Sequence, residues 1–307
     1  MIPVLEIGGT HVTAALVTPD ASRVTGQTRR PLDAQGSAAT VLGTVLRCAR
    51  ALHVPPGARW GVAIPGPFDY PKGIALFADV GKFDALNGLD LRAALLDGLP
   101  GHPADVVFLN DAHAFLIGEW TAGAARGHRR VVGITLGTGV GSAFLARGRV
   151  RTSGPGVPPE GRMDLTEVDG RPLEDTVSRR AIRARYADPD ADVHHIAERA
   201  RAGEERARRV LTRAFTALGA ELGPRLHAFG ASALVVGGSM ARSWDLVAPA
   251  LHTGLTAWNR PPGPPGTRHT RAVEPAVLDG HAALIGAARA AGPRTGTMEA
   301  GIRNARD

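Results

Sequence analysis

Cysteine is nearly absent from this chain: of 307 residues, only Cys48 carries a thiol. A lone cysteine excludes an internal disulfide and a CxxC-type zinc site, and it agrees with a reducing compartment. It falls in a predicted helix and is expected to pack in the core. Long apolar runs are missing too, none reaching the roughly 18 residues of a membrane-spanning helix. The opening residues, MIPVLEIGGT, lack the basic and long apolar segments of a secretory signal. A cytoplasmic location with no membrane partner is therefore expected. Lysine is confined to Lys72 and Lys82, so arginine carries the net charge of +7. Those arginines are scattered among acids, and the densest run, 199–209, contains Glu204 and Glu205. Such interleaving marks solvated helix faces, and no nucleic-acid partner is expected.

Apolar residues make up 44% of the chain, with 39 glycines and 23 prolines, a composition that suits a loop-punctuated α/β protein. Its length allows two lobes with cores of their own. The stretch with the most chemistry spans residues 107–144. The first half, VFLNDAHAFLIGEW, sets Asn110 and Asp111 at the end of a buried apolar run. A carboxylate there is a candidate general base, although an aspartate can equally N-cap the helix that follows. The second half, VVGITLGTGVGSAF, is a β-type run over 131–136 that breaks into Gly137, Thr138, Gly139, Val140 and Gly141. Glycines after a strand let backbone N–H groups approach a phosphate, because no Cβ intervenes. A base and a phosphate cradle so close in sequence point to a phosphotransferase.

The rest of the chain supports that reading. Residues 3–18 predict two strands joined by a Gly8-Gly9 corner, with Glu6 aimed toward it and the Thr10 hydroxyl beside it. Such a corner can hold phosphate oxygens and, through water, a magnesium ion. Helical spacing is seen over 38–53, and strands are predicted at 60–65 and 74–77. The first of these strands ends in the Pro65-Gly66-Pro67 corner, and strand ends are where α/β proteins place ligands. Residues 79–89 read as a loop with Lys82, Asp84 and Asn87, polar enough to line a substrate cleft. Helices follow at 91–96 and 112–121, with His113 expected as a packed or capping histidine. Segment 154–175 reads as irregular, then the chain turns helical from Ser178, with two long helices over 196–226. A strand at 234–236 breaks into Gly237-Gly238-Ser239, as the adenosine side of a nucleotide would require. Helices are predicted at 244–255 and 280–291, a rigid surface loop at 261–269 and a disordered tail beyond 292.

Taken together, these pieces resemble the ROK family of the sugar-kinase/actin-like ATPase superfamily over residues 3–291. EIGGT resembles its first phosphate motif, VAIPGPFD the segment beside the sugar, and NDAHAFLIGE the segment with the catalytic aspartate. TLGTGVGSAF resembles the second phosphate loop, PLEDTVSRRAI the sugar-contacting glutamate, VVGGSMA the adenosine loop and HAALIGAA the closing helix. The resemblance implies an α/β, two-lobed RNase H-like (actin/hexokinase-like) fold with mixed central sheets. Its expected lobes are residues 1–112, possibly completed by the helix 281–291, and residues 113–280. It further implies ATP, Mg²⁺, a small sugar-like acceptor and a homodimer. Asp111 would take the proton of the attacking hydroxyl. Asn110, Pro65, Gly66 and Glu174 would line the sugar. Gly8, Gly9 and Thr10 with Gly137, Thr138, Gly139 and Gly141 would cradle the phosphates, and Gly237 and Gly238 would flank the adenine ribose.

Four departures from the family pattern shape the expectation. Glu6 replaces an aspartate, which shifts the magnesium-side carboxylate by a methylene. The cysteines of the family's structural zinc are missing, so no zinc site is expected. The sugar motif ExGH becomes Pro159, Glu160, Gly161, Arg162, and the usual asparagine before the cleft loop has no clear counterpart in FADVGKFDAL. The chemistry-bearing pair Asn110 and Asp111 is intact while ring recognition is altered. A kinase for a modified sugar is therefore expected, an amino sugar such as kanosamine or a C7 cyclitol, with Glu160 and Arg162 as candidate contacts. An ordinary glucokinase, an N-acylhexosamine kinase and a non-catalytic sugar sensor are the alternatives. A repressor is disfavoured, because the hairpin at residue 6 leaves no room ahead of it for a winged helix.

Overall fold

The computed structural model describes residues 1–188, 190–256 and 272–292. The expectations for the 261–269 loop and for the tail beyond 292 lie outside these residues. The chain begins with the meander β1 (Ile2–Ile7), β2 (His11–Val17) and β3 (Val24–Pro31), followed by α1 (Ala38–Ala49) and β4 (Arg59–Ile64). A small ribbon, β5 (Phe68–Asp69) and β6 (Ile74–Ala75), precedes α2 (Leu91–Gly98), β7 (Asp105–Asn110) and α3 (Asp111–Ala122). A second meander, β8 (Arg130–Leu136), β9 (Val140–Ala146) and β10 (Arg149–Val150), leads through the ribbon β11 (Glu167–Val168) and β12 (Arg171–Pro172). Helices α4 (Glu174–Val177), α5 (Arg179–Tyr186), α6 (Val193–Arg201) and α7 (Glu205–Phe229) follow. The described chain closes with β13 (Ala233–Gly237), α8 (Trp244–Gly254), β14 (Ala272–Pro275) and α9 (Ala282–Ala291).

Two five-stranded sheets repeat one plan, β3-β2-β1-β4-β7 and β10-β9-β8-β13-β14. In each, an antiparallel meander is extended on one side by two parallel strands. This is the α/β architecture with mixed sheets that the family resemblance implies. Alternate residues of the central strands bury opposite faces, as expected where helices cover both sides of a sheet. Leu5 and Ile7 join Val41, Val45 and Cys48 of α1 and Leu91 and Leu95 of α2. Val4, on the opposite face, joins Leu284, Ala287 and Ala288 of α9. In the second sheet Val132 and Ile134 face the α5–α8 layer, while Val131, Ala143 and Val235 meet Phe115, Leu116 and Ile117 of α3. The helix α9, last in the described chain, thus packs on the first sheet. Among the described residues no helix is long and apolar enough to cross a membrane.

Local chemistry sets the element ends. Ser37 caps α1 by accepting the Thr40 N–H, and Asp90 caps α2 through Ala93. The two long helices separate at Gly203, whose φ of +98° an L side chain rarely adopts. The expected strand 74–77 keeps only Ile74–Ala75, because the chain turns there to bury Phe77 against Phe68 and Phe83. Cys48 is buried, with its Sγ directed at the carbonyl oxygens of Val12 and Thr28.

Among the glycines of the described residues, the tightest packing is between α3 and α9. A Cβ at Gly118 would overlap the carbonyl of Ala282, and one at Gly286 would overlap the carbonyl of Ala114. Gly286→Ala is therefore expected to destabilise by about 2–4 kcal/mol, lowering Tm by roughly 5–12 °C. Gly26→Ala, where an added Cβ meets nothing within 4 Å, should leave Tm within about 1–2 °C of wild type. Differential scanning calorimetry of the pair checks both, and an unchanged Tm in Gly286→Ala would contradict the contact.

Candidate active site

The strand order brings the predicted residues to one edge. β1, β4 and β7 run parallel, with Glu6 opposite Ala63 and Ile64 opposite Asn110, so their carboxyl ends lie side by side. There the chain enters the Gly8-Gly9-Thr10 turn, the Pro65-Gly66-Pro67 corner and the start of α3 in turn. The Gly8 N–H donates to His11 O at 2.9 Å and closes the first turn. In the second sheet β8 ends in a tight turn of Gly137, Thr138 and Gly139, closed by Gly137 N–H donating to Gly139 O at 3.0 Å. The neighbouring strand β13 ends at Gly237, and Gly238 (φ +86°) lies so close to Leu136 that a Cβ would strike its backbone. Gly141 is not part of this turn. It lies within β9, where a Cβ would overlap Thr135 Oγ1 and stand 3.0 Å from Ala112 Cβ. Its missing side chain lets the second hairpin approach the start of α3, which brings the glycine turn toward Asp111.

Asn110, not Asp111, is the N-cap. Its Oδ1 accepts the N–H groups of Ala112 and His113 at 3.0 and 3.2 Å, and its Nδ2 donates to Tyr70 Oη at 3.1 Å. One Nδ2 hydrogen is left for a ligand. With the cap taken by its neighbour, Asp111 becomes the first helical residue, its Oδ1 accepting Ala112 N–H at 2.9 Å. Protein crowds around this carboxylate although solvent still reaches it from the open side. Burial pushes its pKa up, while the Ala112 N–H and the charge of Lys82 pull it back. Glu6 is pushed up to about 7 by burial and by Asp111, offset in part by Arg29. Glu6 and Asp111, at the ends of β1 and β7, thus lie near enough to repel each other. His113, pushed down to about 4 by burial, is neutral and packed.

On the opposite side stands Glu174, the first residue of α4. A Cβ on Gly139 would overlap its Oε1, so this carboxylate lies directly over the second glycine turn. Burial and Asp164 raise its pKa; Arg180 and Lys82 oppose them. Arg162 is held by Asp164 through Nη2 at 2.6 Å and Nε at 3.3 Å, and its charge reaches Tyr70. Ser142 fixes that loop, donating to Gly161 O at 2.6 Å and accepting Met163 N–H at 2.9 Å. Glu160 is exposed, with φ of 56°. A pocket of about 580 Å³ opens beside Thr138, lined by Arg179, Arg180 and Arg183. Arg179 ties the start of α5 to both strand-end turns: its backbone N–H donates to Gly137 O and its Nη2 to Ser239 Oγ.

Sequence reasoning gave no role to Tyr70 or Ser142, and placed Lys82 only in a loop fit to line a substrate cleft. Tyr70 follows the Pro65-Gly66-Pro67 corner closely and is one of only 2 tyrosines, a signal that was available. The roles of Ser142 and Lys82 arise from contacts distant in sequence.

A model of the ROK family matches residues 3–292. A glucokinase of Thermotoga maritima is 27% identical over 273 residues, covering 79% of this chain and 83% of that protein. A solved ROK family glucokinase from Streptomyces griseus, in complex with glucose and AMPPNP, superposes with a TM-score of 0.73 at 25% identity, over 94% of this chain and 98% of that one. A solved ROK family transcriptional regulator, a homologue of the E. coli MLC protein, superposes with a TM-score of 0.74 at 19% identity, over 94% of this chain and 77% of that one. The last likeness is one of fold alone.

The Glu6 carboxyl carries its own prediction. It titrates near 4.5 in an unfolded chain and near 7 in the folded protein, so the folded state binds the proton more tightly between those values. Stability is fully present below pH 4.5 and falls as pH rises through 7. Discounted for partial solvent access, the loss is about 2–3 kcal/mol. Glu6→Gln should match wild type in Tm at pH 4.5 and exceed it at pH 8 by roughly 4–10 °C. Equal melting at both pH values would contradict the buried, repelled carboxyl.

Proposed function

This chain belongs to the ROK family, and from that premise we propose that it is an ATP-dependent sugar kinase acting on the primary hydroxyl of a hexose-like acceptor, with Asp111 as general base. The observation that carries the proposal is the position of Asp111. It sits at the first turn of a helix, beside one glycine turn and facing the hairpin that makes the other. Phosphoryl transfer asks for little more than positioning, charge neutralisation and one base. Asp111 takes the proton of the acceptor hydroxyl as that oxygen bonds to the γ-phosphorus, and the bond from phosphorus to the departing ADP oxygen breaks. A raised carboxyl pKa suits the task, since a base works best when its pKa approaches the operating pH. The remaining Nδ2 hydrogen of Asn110 is available to a neighbouring hydroxyl.

The two glycine turns supply backbone N–H groups for the triphosphate, and the arginine-lined pocket beside Thr138 has room for the nucleoside. The donor set fits a magnesium ion. Among the described residues no group of three or more His, Cys, Asp or Glu is arranged to hold a metal by itself. Mg²⁺ does not require one: it keeps several waters and binds through one or two carboxylates plus substrate phosphates. Glu6, beside Asp111 and the first turn, would hold it through water. When bound, the ion would neutralise phosphate charge.

The acceptor we propose is a modified sugar, an amino sugar such as kanosamine or a C7 cyclitol. Supporting this, Arg162 occupies the place of the family's histidine and is tied to Asp164, while Glu174 remains over the second turn with a partly uncompensated carboxylate. An ammonium on the acceptor would satisfy that carboxylate through a charge-assisted hydrogen bond. The proposed setting is the cytoplasm, and the proposed assembly is a homodimer of chains with lobes 1–112 (completed by α9) and 113–280.

Coupled ADP release with Mg-ATP over glucose, glucosamine, kanosamine, N-acetylglucosamine, N-acetylmannosamine and two C7 cyclitols tests the proposal. Turnover on one acceptor is expected, falling about 10³-fold or more in Asp111→Asn while nucleotide binding is retained. Preference for plain glucose would overturn the modified-sugar assignment. No turnover, with a sugar that raises Tm, would favour a sensor.

A further inference from the structure

Lys82 stands in a part of the site that the family resemblance leaves unassigned. The loop that carries it is fixed on both sides. The N–H groups of Val80 and Gly81 donate to the Asp84 carboxylate at 3.1–3.2 Å. Phe83 is fully buried, its N–H donating to Ala34 O at 2.6 Å and its ring packed 5.3 Å from that of Phe77. Between these anchors the half-buried Lys82 stem runs over the first glycine turn, with Cδ 3.9 Å from where a Cβ on Gly9 would stand. Its charge reaches two carboxylates from different lobes, Asp111 and Glu174. Yet its ammonium makes no hydrogen bond or ion pair among the described residues. The other lysine, Lys72, is exposed and paired with Asp69 at 3.3 Å. The arginines around the site are engaged too: Arg162 with Asp164, Arg179 with Ser239, and Arg180 with Asp175.

We propose that Lys82 binds the phosphoryl group in transit, between the first glycine turn and Asp111. This rests on the kinase reading above. Negative charge accumulates on the oxygens of the transferred group, and the groups nearest to it here are themselves anionic: Asp111, Glu6 and Glu174. A cation placed among them offsets that repulsion, and an ammonium on a flexible stem with three donors can follow the group across. The oxygen–phosphorus bond to the acceptor forms, the bond to ADP breaks and the proton passes to Asp111. Lys82 exchanges no atom in this step.

The test measures binding and turnover separately, in full-length protein. Isothermal titration calorimetry with Mg-AMPPNP and with Mg-ADP compares wild type, Lys82→Ala and Lys82→Arg. Lys82→Ala should lose about tenfold in affinity for AMPPNP and less than about twofold for ADP, with Lys82→Arg within about threefold of wild type. With the accepted sugar, Lys82→Ala should lower kcat by about 10²–10³-fold and leave acceptor KM within about threefold. Its Tm should stay within about 2 °C of wild type, because among the described residues the ammonium has no hydrogen bond or ion pair to lose. Unchanged AMPPNP affinity in Lys82→Ala, or a loss confined to acceptor KM, overturns the role of Lys82 alone. Wild-type protein that binds neither nucleotide overturns the kinase reading along with it. If AMPPNP binds but no acceptor turns over, the calorimetric comparison still decides the contact.

Discussion

The crossing of α3 and α9 is the contact on which the rest of the molecule depends. α3 lies on the second sheet and α9 on the first, so the sheets are joined through two helices pressed backbone to backbone. Only glycine permits this at Gly118 and Gly286, where any side chain would enter the opposite helix. The far end of α3 is tied down as well. The fully buried Glu119 accepts N–H groups from Ala124, Val277 and Leu278, and so binds the end of α3 to the segment that leads into α9. A helix fixed at its middle and its end has a fixed beginning, and its beginning is Asn110 and Asp111. The geometry of the candidate base is thus a consequence of packing well away from it.

The electrostatics of the site are a balance that protein groups alone leave incomplete. Burial raises the carboxyls of Glu6, Asp111 and Glu174, and the first two also repel each other. Opposing them are the Ala112 amide at the start of α3, the exposed Arg29 and the unpaired Lys82. Fully ionised carboxylates held this close lower stability near neutral pH, a common compromise between stability and function. The cluster becomes comfortable when further positive charge arrives, whether a magnesium ion or a cationic acceptor. The same logic explains why the proposed reaction benefits from Lys82. A triphosphate entering a carboxylate-lined site must bring or meet cations, and a half-buried ammonium already in place lowers that barrier.

Much of the site was legible in the sequence because it depends on short-range rules. An apolar run that ends in glycines, or in Asn-Asp before a helical pattern, locates a strand end, and parallel strands collect their ends at one edge. What failed to appear were the outcomes of local competition and the effects of distant contacts. Both Asn110 and Asp111 can cap a helix, and the structure settles it for Asn110, with Tyr70 turning its amide. Gly141 belongs to the same glycine run as Gly137 and Gly139, but the turn closes before it and leaves it in a strand. Arg162 has an acidic neighbour two positions on, and that pair forms. The polar loop of Lys82 marked a cleft lining but not which group it faces, and Glu119 gave no signal, since its burial depends on segments more than 150 residues away.

Fold alone does not decide among the functions that this architecture supports, since a transcriptional regulator shares it. The residues bear on the choice through what they cost. A protein that only senses a sugar needs hydrogen-bonding groups set around a ring, and neutral amides and hydroxyls provide them at little expense. It has no use for a carboxyl held near neutrality by burial beside a second carboxyl, nor for a free ammonium directed at both Asp111 and Glu174. The crowded carboxyls oppose stability, the ammonium only partly offsets them, and all of them are accounted for by a negatively charged group passing between two glycine turns. The proposed kinase chemistry makes one arrangement of the whole set, whereas a sensor leaves Glu6, Asp111 and Lys82 without a common use.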